Sequence, residues 1–167
     1  MKGTFGFLVL FMVINSDLSV IRKAYSEAIY SEKKTEKLLD DLESITVQTP
    51  TLYAYKGATH AIYAKFLLNP SSKLEKVKKG TAMLDDAVIA DSDNMEIRYL
   101  RYSIEKNIPS FLPYRKHIEQ DEVRIINALI AGNDALSPEI RSEVIQYMLK
   151  NAQLSPENKR DLEKLVN

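Results

Sequence analysis

Cysteine is absent from this sequence, and that absence removes several chemistries at once. Disulfides, thiolate zinc sites, cysteine nucleophiles and a lipid-modified N-terminal cysteine are all excluded, while both reducing and oxidising compartments stay open. Net charge is missing too, because 23 Lys+Arg face 23 Asp+Glu. No global field therefore draws the chain to nucleic acid or to an anionic membrane. Glycine and proline are scarce, at 5 and 6 residues, which argues against long irregular loops. Histidine occurs only twice, so histidine-rich metal sites are excluded.

What remains is a chain of 167 residues, 45% hydrophobic and 28% charged. That places it among folded globular proteins, with room for one domain and a sizeable core. The first sixteen residues, MKGTFGFLVLFMVINS, differ from the rest. Lys2 precedes an apolar run from Phe5 to Ile14, roughly ten residues where about twenty are needed to span a bilayer. Such a run suits the apolar core of a secretory leader. The expectation is a signal peptide over 1–16 and a single helical domain over 17–167, exported to the periplasm or secreted, with no stable transmembrane span after processing. A packed apolar helix and a retained membrane anchor are the alternatives.

Beyond residue 16 the pattern is helical. Ser16 or Asp17 is the expected N-cap of a first helix carrying Leu18, Ile21, Ala24, Tyr25, Ala28 and Ile29 at helical spacing. Leu38, Leu39, Leu42 and Ile45 form the next stripe, and Pro50 marks a break. From Leu52 to Leu68 a large-residue stripe accompanies a small-residue one of Ala54, Gly57, Ala58, Ala61 and Ala64. A glycine inside a helix costs about 1 kcal/mol against alanine, so a close neighbouring helix is expected there. Ser71 or Ser72 is the expected cap of a helix over 73–90 with Leu74, Val77, Leu84 and Val88 inward. Asp91-Ser92-Asp93-Asn94 then reads as a turn whose side chains stop one helix and cap the next. The following helix buries Ile97, Leu100 and Ile104; another runs through Ile118, Val123, Ile126 and Ile130 to Gly132 at its C-terminus. Ser137-Pro138-Glu139 and Ser155-Pro156-Glu157 announce the last two helices in the same way. No segment alternates apolar and polar residues over a strand's length. The fold class is all-α, with seven or eight helices joined by short turns.

The spacing of Gly80, Leu84 and Ala87 before Asp91-Ser92-Asp93-Asn94 resembles the second helix and following turn of a tetratricopeptide repeat. Ser92 stands where that family has proline, and Gly57 precedes Gly80 by 23 residues instead of about 12. The similarity covers residues 52–106. The chain as a whole also resembles exported all-helical bacterial proteins. The resemblance implies antiparallel helical hairpins in a right-handed array that serves as a protein- or peptide-binding scaffold.

Motifs that would carry catalysis are absent. Asp91-Ser92-Asp93-Asn94-Met95-Glu96 begins like a calcium loop but lacks its glycine and its later oxygen ligands. No nucleophile elbow, zincin helix, phosphate loop or dinucleotide fingerprint occurs. Asp40/Asp41 and Asp85/Asp86 are adjacent pairs that diverge by about 100° on a helix. His60 shares a face with Lys56, which disfavours a cation site, and His117 has Asp121 four residues on. No catalytic residue, metal ligand or cofactor is assigned. The candidate partner-binding residues are Arg98, Arg101 and Tyr102, read either as a basic, aromatic patch for an acidic peptide or as internally paired helix residues with Asp91, Asp93 or Glu96 as partners. The functional expectation is a binding or scaffold module. An enzyme with a site assembled near His117, and a membrane-tethered structural subunit, are the rival readings.

Overall fold

A computed structural model of the chain describes residues 7–46 and 48–166, with side chains described from Leu18 onward. The expected leader over 1–16 lies outside the residues whose side chains are described. Among the described residues there are eight α-helices and no strand: α1 (Phe7–Ala28), α2 (Glu32–Ser44), α3 (Pro50–Tyr63), α4 (Pro70–Ala90), α5 (Met95–Asn107), α6 (Ile118–Ala131), α7 (Pro138–Asn151) and α8 (Pro156–Lys164). None of the described helices is long and apolar enough to cross a membrane.

Local chemistry sets most of the boundaries. Ser31 separates α2 from α1 by accepting from the Lys34 amide. Thr49 caps α3 and is followed by Pro50 at the first helical position. Asn94 accepts from the amides of Glu96 and Ile97 while its own amide donates to Asp91 Oδ2, so one side chain ties the end of α4 to the start of α5. Gly132 closes α6 at φ 68°, in the left-handed region that glycine enters without steric cost. Ser155 caps α8 through the Asn158 amide.

Three boundary expectations need correction. α1 continues through Ser16 and Asp17 without starting there. α4 starts at Pro70, three residues early, because Asn69 Oδ1 accepts from the amides of both Ser71 and Ser72 and displaces those serines as caps. α3 stops at Tyr63. Leu74, assigned inward, lies outward, and Val123 and Ile130 of the α6 pattern are exposed as well.

Two cores share one helix. Ile97, Leu100 and Ile104 of α5 pack with Tyr25, Leu38, Leu42, Tyr55, Leu84 and others from α1 to α4. Met95, Tyr99 and Tyr102 of the same helix pack with Ile125, Leu129, Val144, Met148 and Leu162 from α6 to α8. Ten of the thirteen α5 residues are consequently buried, charged ones included.

The tightest helix contact is the α3–α4 hairpin. A Cβ on Gly57 would meet the Gly80 carbonyl oxygen at 2.9 Å and Met83 Cβ at 2.9 Å; one on Gly80 would meet the Gly57 carbonyl oxygen at 2.5 Å and the Ala61 amide at 2.8 Å. Gly57 thus faces positions 80–84 while Ala61 faces 80, which makes the pair antiparallel. The small-residue stripe of α3 has the close neighbour expected of it.

Gly80→Ala should therefore destabilise the protein by about 1–3 kcal/mol through overpacking. Helix propensity alone would stabilise by about 1 kcal/mol. Urea unfolding of the variant gives the sign, and a raised midpoint would mean that the helices separate without cost.

Candidate functional site

Residues Arg98, Arg101 and Glu105 recur at i, i+3 and i+7, so they form one polar stripe along α5 between its two apolar faces. Both arginines meet Asp121 of α6. Arg98 Nη1 donates to Asp121 Oδ1 at 2.7 Å, while Arg101 Nε and Nη2 donate to Oδ2 and Oδ1 at 2.7 and 2.9 Å. Asp121 has no solvent exposure. Arg98 Nε also donates to the Ser92 carbonyl, and Arg101 Nη1 reaches Asp85 Oδ1 of α4 at 3.1 Å. Burial alone would depress the Arg101 pKa, but the bonds and charges of Asp121 and Asp85 outweigh it and hold it above its ordinary value.

The candidate binding residues are therefore inside the fold. Arg98 and Arg101 are each 4% exposed and Tyr102 is 0% exposed. The expectation of an accessible concave patch fails because both faces of α5 are covered and Asp121 draws the guanidinium groups inward. The expected partners are corrected too: Asp121 and Asp85 replace Asp91 and Asp93, and Glu96 turns to Arg22 and Tyr55. Tyr102 donates to Glu122 Oε2 at 2.6 Å, and its hydroxyl pKa is raised by burial and then by that bond.

The third member of the stripe, Glu105, holds the start of α6. Its Oε2 accepts from the His117 amide at 2.8 Å, and its Oε1 lies 2.8 Å from His117 Nδ1. Asp85 Oδ1 lies 3.3 Å from the same ring nitrogen. His117 therefore does not use Asp121 as its side-chain partner; its carbonyl accepts from the Asp121 amide as α6 begins. Because His117 is turned to Glu105, it makes no side-chain cap on α6.

Beside that uncapped helix start lies a cleft of about 550 Å³ lined by Lys106, Ser110, Arg115, Lys116, Glu122 and Gln153, together with Ile118 and Glu119. Glu122 is already engaged by Tyr102, the Gln153 amide and, at 3.6 Å, Lys106. Arg115 differs: its Nε is buried and has no hydrogen-bond partner. Neither Arg115 nor Lys116 makes an ion pair among the described residues. Nothing in the sequence distinguished Arg115 from other loop arginines; it reaches the cleft because the connector between α5 and α6 brings it beside Lys106 at the end of α5.

His60, the other histidine, is buried on α3 with Lys79, Lys76 and Lys56 nearby and Glu43 Oε1 at 3.8 Å. Burial, then the lysine charges, pushes its pKa down to about 4. The chain matches no protein-family model, no curated protein and no solved structure.

Two stability measurements follow from this geometry. Asp121→Ala should cost about 3–5 kcal/mol, since it leaves two guanidinium groups buried without their carboxylate. The same change should cost much less in an Arg98→Met, Arg101→Met background, and equal costs in both backgrounds would deny the coupling. His60 gives a pH dependence of known sign. Its folded pKa of about 4 lies below its ordinary 6.5, so the unfolded chain binds the extra proton and stability falls as pH drops from about 6.5 toward 4. With allowance for solvent beside the exposed Glu43, the loss is on the order of 2 kcal/mol. His60→Leu should flatten the urea midpoint between neutral pH and pH about 5, and an unchanged slope would assign the effect elsewhere.

Proposed function

We propose that this chain is a helical-hairpin binding module that holds an acidic segment of a partner protein in the cleft between the end of α5 and the start of α6. One observation carries the reading: Arg115, whose buried Nε has no hydrogen-bond partner, lines a cleft in which Glu122 and Lys106 are already engaged with one another. A guanidinium donor left without an acceptor costs about as much as a lost charged hydrogen bond, and a bound carboxylate offsets that cost bidentately. Lys116 adds a second unpaired cation. The first-turn amides of α6, free of a side-chain cap, favour negative charge at the same place. Glu119 opposes an anion, so the site selects ligands that approach from the Arg115 and Lys116 side. Phe111, 83% exposed on the same connector, offers an apolar contact for the same segment.

Of the groups from which an enzyme would be assembled, Arg101 and Asp121 are engaged with one another inside the fold and His117 turns Nδ1 to Glu105 and Asp85, which supports binding over catalysis. In the finer architecture we read the antiparallel α3–α4 hairpin, with its glycine contact and Asp-Asn turn, as one unit of a tetratricopeptide-like array. The exported location rests on the apolar run behind Lys2.

Fluorescence polarisation with a labelled hexaglutamate peptide tests the binding reading. Wild-type protein should bind it in a salt-sensitive way, and Arg115→Ala should weaken binding by about tenfold or more, the worth of one charged hydrogen bond. Thermal stability should be unchanged or raised, because the orphaned donor is gone. Equal binding by wild type and Arg115→Ala, or none by either, rejects the cleft as the site.

A further inference from the structure

Apart from the cleft, a second group of side chains stands without a settled charge balance. Glu105 is a buried carboxylate, 2% exposed, whose bonds among the described residues go to the amide and ring of His117. Among the described residues no lysine or arginine bonds to it, although buried carboxylates ordinarily need a cation. Arg101, one turn earlier on the same helix, is committed to Asp121 and Asp85.

Three ligand atoms converge there from three different elements: Asp85 Oδ1 from α4, Glu105 Oε1 from α5 and His117 Nδ1 at the head of α6, all within 4.8 Å of one another. The ring nitrogen stands 2.8 Å from the glutamate oxygen and 3.3 Å from the aspartate oxygen. Neighbouring ligands on an ion with bonds of about 2.0–2.2 Å lie roughly 3.0–3.5 Å apart, from octahedral to tetrahedral arrangement. The ring nitrogen thus already stands near ligand spacing from each carboxylate, and the two carboxylate oxygens lie within 4.8 Å of one another.

We infer that Asp85, Glu105 and His117 bind a divalent transition-metal ion, with zinc as the fitting probe. One imidazole and two carboxylates suit zinc, iron or manganese over calcium, which takes oxygen ligands alone. The surroundings orient the set as an outer shell does: the His117 amide fixes Glu105 Oε2, and Arg101 fixes Asp85. Arg101 contacts the ligating oxygen of Asp85 itself, so its charge weakens the ion's hold; Asp121, buried beside it, offsets that charge. Half-exposed Asp85 and His117 give the ion its way in. An ion at this place takes the lone pair of Nδ1, so a proton held there must leave to solvent or be replaced by one on Nε2 as the ion enters.

Titration of metal-free protein with Zn²⁺ at neutral pH, read by calorimetry and by thermal melting, tests this. One ion per chain should bind and raise the Tm, and a chelator should reverse the rise. His117→Ala and Glu105→Gln should each weaken binding by at least about tenfold, as loss of a ligand exceeds loss of an outer-shell partner. Circular dichroism checks that each variant is folded; should Glu105→Gln unfold, half-exposed Asp85→Asn decides in its place. His60→Ala and Arg115→Ala should bind zinc as wild type does, which separates this site from stray histidine binding and from the acidic-segment cleft. No zinc uptake, uptake that survives His117→Ala, or a Tm that responds to pH but never to zinc would overturn the inference. The last result would show that a protonated imidazole alone answers Glu105.

Discussion

Asp121 is the anchor on which the two halves of this molecule depend. Its carboxylate, wholly buried, takes three hydrogen bonds from Arg98 and Arg101 and thereby fastens α6 to α5. Without it, α5 would carry two guanidinium groups into a closed space, since apolar side chains cover the helix on both flanks. Burying unpaired cations costs far more than a surface ion pair returns. The second core can form only where Asp121 is in position, and the position of α6 is thus fixed by charge as well as by packing.

The same logic repeats along α5. Glu96, on the side opposite the arginine stripe, takes a bidentate pair from Arg22 of α1 and a hydrogen bond from Tyr55 of α3. Burial and then the Glu96 charge push the Tyr55 pKa up, which keeps the phenol a donor throughout the ordinary pH range. Glu105 completes the set by holding the head of α6 through His117. The charged residues buried on α5 are answered from α1, α3, α4 and α6, so the helix is addressed on several sides. Ion pairs of this kind add little net stability against an apolar equivalent, but a wrong register would strand a charge.

The helical content and most of the corners were legible because they are local. Asn94, Gly132, Pro50, Pro138 and Pro156 act through their own backbone neighbourhoods, and their effects can be read within a few residues. The α3–α4 contact was legible in part, since Gly57 with four alanines has few uses other than close packing. The site was not. A period analysis sees Ile97, Leu100 and Ile104 as the buried stripe of α5 and leaves the remaining faces to solvent. That both flanks are covered depends on α6–α8, whose placement no local signal encodes. Asp121 itself looks like an ordinary first-turn acid stabilising a helix N-terminus. Its partners lie 20 and 23 residues away, beyond the sequence neighbours that seemed natural for Arg98 and Arg101.

Accounting for charge also separates what the fold uses from what it leaves open. Arginines that stand out in the sequence, side by side with tyrosines, are spent on architecture. Arg115, unremarkable in the sequence, keeps a buried nitrogen without an acceptor. Glu105, equally plain, has only an imidazole to balance it. Both sit where the connector from α5 returns to begin α6, on either side of His117. His117 is the physical link between them. By turning its ring to Glu105 and Asp85 it leaves the first amides of α6 without a side-chain cap, and that helix start lies beside the cleft that Arg115 and Lys116 line. A change that released the ring from Glu105 would free it to cap α6 and would alter the anion-attracting end of the helix. Arg115 and Glu105 are therefore linked through one side chain, His117, at the place where the connector from α5 begins α6.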